Sequence, residues 1–329
     1  MPAKSCTPLK TIRRQLETWL VRLALRWIPG WSRGTVCRWA RLLGTLGYAL
    51  PLPVKRVARA NLELALGATH DRQACRRILH AAYQTFALVL LDIFWFTRDT
   101  AHRIQEWVEF DPDLAADLFQ KRAHVCVTAH LGNWELLGHA VSVRGYPLHS
   151  VAAPLINPAV EPYFARTRQV SGQVIIPQAG AIRRLLRILK DDGKIGLLLD
   201  QNTKLTDGGR FVDFFGLPAP MSEAGASLAI QTQSEILFGF CIPNRSGRYH
   251  VHTAPSIDPR APEWAARPKA EQISGITQQI AHHIEQAIRA HPTAWCWMYK
   301  RWKHYPPDRG RAGYPYYAKP PKRPPPKGG

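Results

Sequence analysis

The sequence has few acidic residues and few cysteines, and it lacks the marks of a secreted or membrane-spanning chain. Only 24 aspartates and glutamates stand against 44 lysines and arginines, a formal net charge of +20. The six cysteines are scattered and form no C-x-x-C pair, which argues for reduced thiols in a cytosolic compartment. Neither a signal peptide nor a run of about 18 apolar residues is visible, so export and a simple transmembrane span are not predicted.

Several functional signatures are missing as well. No G-x-S-x-G elbow surrounds Ser222, Ser227 or Ser234, so an esterase of the α/β-hydrolase type is not predicted. Helix-turn-helix, zinc-finger and RNA-recognition signatures are also absent. The excess positive charge still requires a polyanionic partner, and three classes remain open at this point: nucleic acid, an anionic membrane surface, or an acidic protein.

The order of apolar and polar residues predicts three regions. Residues 1–100 are expected to form a helical, membrane-associating region, because Trp19, Leu20 and Trp27 share one helical face among many arginines. Residues 101–304 alternate short apolar runs with helical patterns, which is typical of an α/β fold, a mixed sheet flanked by helices. Residues 305–329 are rich in proline and lysine, and we expect them to be disordered.

Strands are predicted at six positions: 125–129, 148–152, 174–176, 195–199, 236–242 and 249–253. Helices are predicted between and after them, at 135–144, 158–170, 181–190, 223–232 and 269–291. Further helices are expected within 54–97, one of them capped by Asp71.

The most informative stretch is residues 130–135, His-Leu-Gly-Asn-Trp-Glu, which follows the first of these strands. On one continuous helix His130 and Glu135 would point about 140° apart. Gly132 and Asn133 are turn residues, however, and across a strand–turn–helix the two side chains can converge. A histidine held by a carboxylate is a general base, suited to taking a proton from a hydroxyl.

This H-x4-E motif, together with later blocks in the same order, resembles the bacterial lipid A acyltransferases. These are the late (secondary) acyltransferases of lipopolysaccharide synthesis, of the lauroyl and myristoyl type, within the broader lysophospholipid acyltransferase group. The blocks that carry the resemblance are Pro154–Pro158 with Arg166, Arg168 and Gly172, then residues 193–201, 212–219, 225–229 and 291–303. The chain departs from the family pattern at Ala153, Met221, Ser222 and Ala294.

The resemblance implies an O-acyltransferase in which the substrate alcohol, not an enzyme side chain, is the nucleophile. His130 is then the general base, and Glu135 fixes its tautomer. Arg168, with Arg166 as runner-up, binds an acceptor phosphate or the oxyanion. Asp200 has a site role at a strand end. Backbone N–H groups near Gly132 and Asn133, or a guanidinium, are expected to stabilise the oxyanion.

The resemblance also implies the partners. Acyl carrier protein is the expected donor and an anionic glycolipid, the lipid A precursor, the expected acceptor, at the cytoplasmic face of a bacterial inner membrane. No cofactor is expected, and a metal site built from His124, His130, Glu135 and His139 is not predicted, because no H-E-x-x-H occurs. Two alternatives remain: the same chemistry on another glycolipid with acyl-CoA as donor, or a basic nucleic-acid-binding protein.

Overall fold

The computed structural model describes residues 8–152, 157–159, 161–162, 168 and 170–321. Five helices precede the first strand: α1 Pro8–Trp27, α2 Arg33–Ala49, α3 Pro53–Leu66, α4 Arg72–Trp95 and α5 Thr100–Trp107. Asp71 caps α4 as predicted, because its side chain accepts from the N–H of Ala74. Ser32 caps α2 in the same way, accepting from Thr35.

The rest of the chain alternates strands and helices. Its strands are β1 Val108–Phe110, β2 His124–Thr128, β3 Leu148–Ala152, β4 Val174–Pro177, β5 Lys194–Leu198, β6 Gly209–Phe214, β7 Leu217–Ser222, β8 Glu235–Phe238, β9 Phe240–Pro243 and β10 Tyr249–His252. Its helices are α6 Pro112–Leu118, α7 Trp134–Val143, α8 Ala181–Lys190, α9 Ala224–Thr232, α10 Pro262–Ala265 and α11 Lys269–Ala290.

The centre of the molecule is a five-stranded sheet in the order β4-β3-β5-β2-β8, with every neighbouring pair parallel. The carboxyl ends of parallel strands lie at one edge of the sheet, where α/β folds place their sites. Cys126 of β2 is in register with Gly196 of β5 and Leu237 of β8. The predicted α/β class with helices around a sheet is confirmed, with an all-parallel central sheet.

One predicted strand, 236–242, is divided in two. Gly239 separates β8, which belongs to the central sheet, from β9, which pairs antiparallel with β10 in a second sheet of order β1-β10-β9. The Gly239 N–H still donates to the carbonyl of Val127 at 3.1 Å. A two-stranded hairpin, β6–β7, was not predicted; Phe215 and Gly216 form its turn with φ of 56° and 75°, a two-residue turn that the sheet twist favours.

The apolar core lies on both faces of the central sheet. One cluster joins Val125, Ile195 and Ile236 to α8, α9 and α11, and it also includes side chains of α3 and α4. The other joins α7 to Val36 of α2, Trp95 of α4 and the second sheet. The N-terminal helices α2, α3 and α4 are therefore packed into the same core as the sheet.

The segment after residue 304 differs from the expectation of disorder wherever the structure describes it. Tyr317 and Ala318 are buried, and the Tyr317 hydroxyl donates to the side-chain oxygen of the buried Asn61. Tyr314 donates to the carbonyl of Pro218 at 2.8 Å. The aromatic residues of 305–321 make these contacts, although the proline and lysine content of the segment is typical of a disordered chain. Residues 322–329 lie outside the described residues.

Candidate active site

His130 and Asp200 lie side by side at the carboxyl edge of the central sheet. Each stands two residues beyond the end of its strand, β2 or β5, and these strands are neighbours in register from His124↔Lys194 to Thr128↔Leu198. Nδ1 of His130 lies 2.8 Å from Oδ1 of Asp200. The backbone N–H of His130 donates to Oδ2 at 3.0 Å, and Nε1 of Trp295 donates to the same oxygen at 2.8 Å.

This arrangement fixes the tautomer of His130. A carboxylate accepts from Nδ1–H, so Nε2 keeps its lone pair and is the ring nitrogen free to act as a base. Burial alone would raise the pKa of Asp200, but the charge of His130 and the hydrogen bonds from His130 and Trp295 hold that pKa below its ordinary value. Asp200 is therefore an anion that orients the imidazole.

The expectation that Glu135 holds His130 is corrected by this geometry. Glu135 lies in the first turn of α7, where its Oε1 accepts from Nε of Arg168 at 2.6 Å, and among the described residues it makes no hydrogen bond to His130. Burial raises the pKa of Glu135, but the hydrogen bond and charge of Arg168 outweigh it and hold the pKa below its usual value. The turn at Gly132 sends the strand and the helix apart, so the carboxylate reaches an arginine instead of the imidazole.

The backbone amides expected to stabilise an oxyanion are already engaged. The Gly132 N–H donates to the carbonyl of Ala294 at 2.9 Å, and the Asn133 N–H donates to that of Cys241 at 2.7 Å. The Asn133 side chain caps α7 by accepting from the N–H of Leu136 at 2.9 Å. Asn133 is thus a structural residue of the turn, and its amides and those of Gly132 face away from the reacting groups.

A buried polar network lies behind Asn133, and sequence reasoning missed it. Asn133 Nδ2 donates to the Tyr249 hydroxyl at 3.3 Å, which donates to Oδ2 of Asp92 at 2.5 Å. Arg33 of α2 pairs with both oxygens of Asp92. The signal was available in the apolar run 85–96, which Asp92 interrupts, because a carboxylate in such a run requires a buried partner.

A cavity of about 640 Å³ opens beside His130 and runs between α7 and the sheet. Its sheet wall carries small side chains, among them Cys126, Ser150 and Gly196, which stand next to one another in register. A Cβ on Gly196 would lie 2.8 Å from Oγ of Ser150, so the glycine keeps this level of the wall open. The remaining lining is mainly apolar and includes Leu114, Leu118, Trp134, Leu137, Val141, Leu148, Leu198 and Leu237.

The strand register gives the depth of this cavity. Leu148 lines its inner part and Ala152 lies at the level of the mouth. Four residues of a parallel strand span about 13 Å. Arg168, Glu135 and Gln201 line the mouth with His130. The cavity is therefore a mainly apolar pocket with a histidine and charged groups at its opening.

Two further sequence-based expectations concern Arg166 and the candidate metal ligands. Arg166 lies outside the described residues, as does Ala153. Within the described part of the chain, no group of three or more His, Cys, Asp and Glu side chains is arranged to hold a metal ion. His139 is buried; its Nδ1 lies 2.6 Å from Oγ of Ser171 and its Nε2 lies 4.0 Å from Glu135, and burial lowers its pKa.

Comparison with known proteins identifies the family of this chain. Two curated relatives, both named phosphatidylinositol mannoside acyltransferase and from two strains of Mycobacterium tuberculosis, are 29% and 28% identical over 196 and 197 residues. In each case the match covers 58% of this chain and 57% of the relative, so the chain spans little more than half the length of these relatives. The family model described as bacterial lipid A biosynthesis acyltransferase matches residues 6–304. The chain therefore belongs to the bacterial lipid A biosynthesis acyltransferase family.

Proposed function

We propose that this acyltransferase moves a fatty acyl group from the thioester of an acyl carrier protein to a hydroxyl of a lipid A precursor, with His130 as general base. The observation that carries the proposal is the His130–Asp200 pair at the opening of an apolar cavity. A base and a pocket for an alkyl chain are the two things that direct acyl transfer to a substrate hydroxyl requires. The H-x4-E pattern alone does not predict the pocket.

The chemistry follows from the tautomer. Nε2 of His130 takes the proton of the acceptor hydroxyl as its oxygen bonds to the thioester carbonyl carbon. The carbonyl electron pair moves to oxygen and forms a tetrahedral oxyanion. When the intermediate collapses, the C–S bond breaks and the thiolate leaves with the proton held by the imidazolium. Asp200 stabilises that imidazolium by its charge, as the acid of a catalytic triad does.

The cavity is the proposed site of the donor acyl chain. Its small sheet-side residues leave room for an alkyl chain, and each buried CH₂ contributes about 0.8 kcal/mol. A thioester placed at the mouth, beside His130, sends its chain inward toward Leu148 and Leu118. The length of the accepted chain is then set by the inner end of this pocket.

The Glu135–Arg168 pair is proposed to bind the acceptor. Arg168 lines the cavity mouth, and its hydrogen bond from Nε to Glu135 uses one of the five guanidinium N–H groups. A guanidinium fixed in this way suits a phosphate of the glycolipid. Glu135 then serves catalysis through Arg168 and not through His130.

Surface properties support a membrane location, proposed as the cytoplasmic face of the inner membrane. Large apolar side chains are exposed throughout the first two helices and the following loop: Ile12, Leu16, Trp19, Leu20, Trp27, Trp39, Leu42, Leu43, Leu46, Leu50, Leu52 and Val54. Arginines such as Arg13, Arg26 and Arg38 lie among them, as in interfacial helices. The net charge of +20 also suits an acidic carrier protein.

A second candidate acceptor and donor rest on the curated relatives. These relatives are named as acyltransferases of phosphatidylinositol mannoside. The same site in this chain would then acylate another anionic glycolipid, with acyl-CoA as donor. Parallel reactions with acyl carrier protein and CoA thioesters, each offered both acceptors, separate the two candidates by the product that forms.

The test is acyl transfer by the purified full chain, followed by mass spectrometry of the acceptor. The wild-type protein should add one acyl group, and His130→Ala should lower the rate by roughly 10²–10⁴ because the general base is lost. His102→Ala is the matched control, since this histidine is exposed on α5 and far from the cavity. Near wild-type turnover by the His130→Ala protein would contradict the proposal.

A further inference from the structure

The proposed transfer places negative charge on the thioester oxygen, and the backbone amides closest to His130 do not stabilise it. The N–H groups of His130, Gly132 and Asn133 donate to Asp200, Ala294 and Cys241. The Nε–H of Arg168 is bound to Glu135. Donors for the oxyanion must therefore be sought among the side chains that line the cavity mouth.

Gln201 supplies one such donor. Its Nε2 lies 3.1 Å from Nε2 of His130 and 3.4 Å from Nδ1. The distances to the two ring nitrogens are nearly equal, so the amide nitrogen lies over the face of the imidazole and not along the in-plane lone pair of Nε2. It therefore leaves the direction of that lone pair to the acceptor hydroxyl. Gln201 also lines the cavity mouth beside His130, where the thioester carbonyl of the proposed reaction lies.

Thr128 supplies a second donor through an independent observation. It lies two residues before His130, so both side chains point to the cavity face of the sheet. Its hydroxyl oxygen is buried and has no hydrogen-bond partner among the described residues. Leaving a buried hydroxyl unpaired costs about 1–3 kcal/mol, so its presence at the mouth indicates that a polar atom of a ligand pairs with it.

We propose that the Gln201 amide and the Thr128 hydroxyl form the oxyanion hole of this enzyme. The inference rests on the acyl transfer proposed above and assigns catalytic roles to two residues beyond the H-x4-E motif. As the acceptor oxygen bonds to the carbonyl carbon and its proton passes to His130, the carbonyl oxygen gains the electron pair. The two side chains donate to that oxygen until the C–S bond breaks and the thiolate departs with the proton.

The experiment uses isosteric substitutions that remove the donors, Gln201→Met and Thr128→Val, in the full chain. Each should lower kcat, by roughly 10²–10³-fold for Gln201→Met, and leave KM for donor and acceptor within about twofold. Thr128→Ser keeps the hydroxyl and should retain activity. Thr206→Val is the matched control, because Thr206 lies on the exposed 3-10 turn after the cavity residues.

A binding measurement separates catalysis from structure. A long-chain alkyl phosphonate, whose tetrahedral anion mimics the intermediate, should lose affinity by the factor lost in kcat/KM. An alkyl thioether of the same chain, which mimics only the ground state, should bind both variants as it binds the wild type. If Gln201→Met does not fold, Gln201→Asn with the same two probes replaces it.

The failures are distinguishable. A wild-type protein that transfers no acyl group refutes the proposed function itself. An active wild type whose Gln201→Met and Thr128→Val variants keep or increase kcat refutes only the oxyanion hole. Equal loss of affinity for the phosphonate and the thioether would assign these residues to ground-state binding and overturn the inference.

Discussion

At the scale of single residues, the site contains two carboxylates, and each of them holds a different side chain. Asp200 is paired with His130, and Glu135 is paired with Arg168. Substitutions of the two carboxylates are therefore expected to impair different steps of the reaction. In the proposed mechanism, Asp200 acts on the proton-transfer step through the imidazole, whereas Glu135 acts on acceptor binding through the guanidinium.

The prediction at this scale concerns the Asp200→Asn substitution. An asparagine side chain can donate to Nδ1 of His130, which favours the tautomer with a proton on Nε2 and removes the base. We expect kcat to fall by roughly 10²–10⁴, by analogy with the acid of a serine-protease triad, with KM nearly unchanged. Steady-state kinetics with purified variants measures this.

The control for this prediction is Asp207→Asn, an exposed aspartate in the turn that follows Gln201. It should behave as wild type. If Glu135→Gln lowered kcat as strongly as Asp200→Asn while leaving KM for the acceptor unchanged, the original assignment of Glu135 as the partner of His130 would be restored.

At the scale of elements, the turn between β2 and α7 decides where the base points. Gly132 has φ of 67°, a left-handed conformation that favours glycine, and a Cβ there would lie 2.0 Å from the backbone oxygen of Cys241. This close approach allows the Asn133 N–H to reach the same carbonyl. The glycine of the motif is therefore required by the backbone and not by the chemistry.

The prediction at this scale is that Gly132→Ala destabilises the protein strongly. The collision is with main chain, which cannot rotate away, so β9 must separate from the turn and His130 must move with it. We expect a loss of more than about 3 kcal/mol in the free energy of unfolding, and activity should fall with it. Urea denaturation followed by circular dichroism measures the change.

Gly34→Ala is the matched control for that experiment. Gly34 lies inside α2, and a Cβ there would meet nothing within 4 Å. Alanine at a helical position stabilises by about 0.5–1 kcal/mol relative to glycine, so this variant should be at least as stable as wild type. A Gly132→Ala protein of wild-type stability would mean that the turn has an alternative conformation.

At the scale of the whole molecule, the exposed apolar side chains are concentrated at one end of the chain. One described helix, α4, is long and apolar enough by composition to cross a membrane, but half of its most apolar part is buried in the protein. Removing residues 1–41 would be a poor test of membrane binding. It would also remove Arg33, which pairs with the buried Asp92, and leave that carboxylate without its cation.

We therefore predict the effect of three surface substitutions, Trp19→Ser, Leu20→Ser and Trp27→Ser, made together. The full chain should sediment with vesicles containing anionic lipid, and high salt should weaken the association without abolishing it. The triple variant should be released at moderate salt and should lose activity on vesicle-embedded acceptor more than on detergent-dispersed acceptor.

Serine substitutions at Ile182, Leu205 and Tyr316, which are also exposed but lie elsewhere, are the control for this experiment. They should sediment as the wild type does. A wild-type chain that fails to bind vesicles at low salt would contradict a membrane enzyme, and a fully bound triple variant would show that these three side chains do not make the membrane contact.

The class of fold and most of the elements could be predicted from the amino-acid pattern alone, and so could the position of the proposed base. Strands 148–152 and helix 181–190 have the bounds that the hydrophobic pattern predicts, because burial on a sheet or along one helical face imposes periods of two and 3.6 residues. His130 could be selected because its motif joins a strand to a helix through a glycine turn, and the family resemblance rested on the same local blocks.

The partners of these residues could not be predicted, because they come from distant parts of the chain. Asp200 is 70 residues from His130 in the sequence and Trp295 a further 95, and they meet because β2 and β5 are neighbours and the segment after α11 returns to the sheet edge. Sequence proximity favoured Glu135, but the direction of a side chain at the start of a helix depends on the turn before it. The order of the strands in the sheet, which no local sequence pattern specifies, therefore determines which carboxylate holds His130.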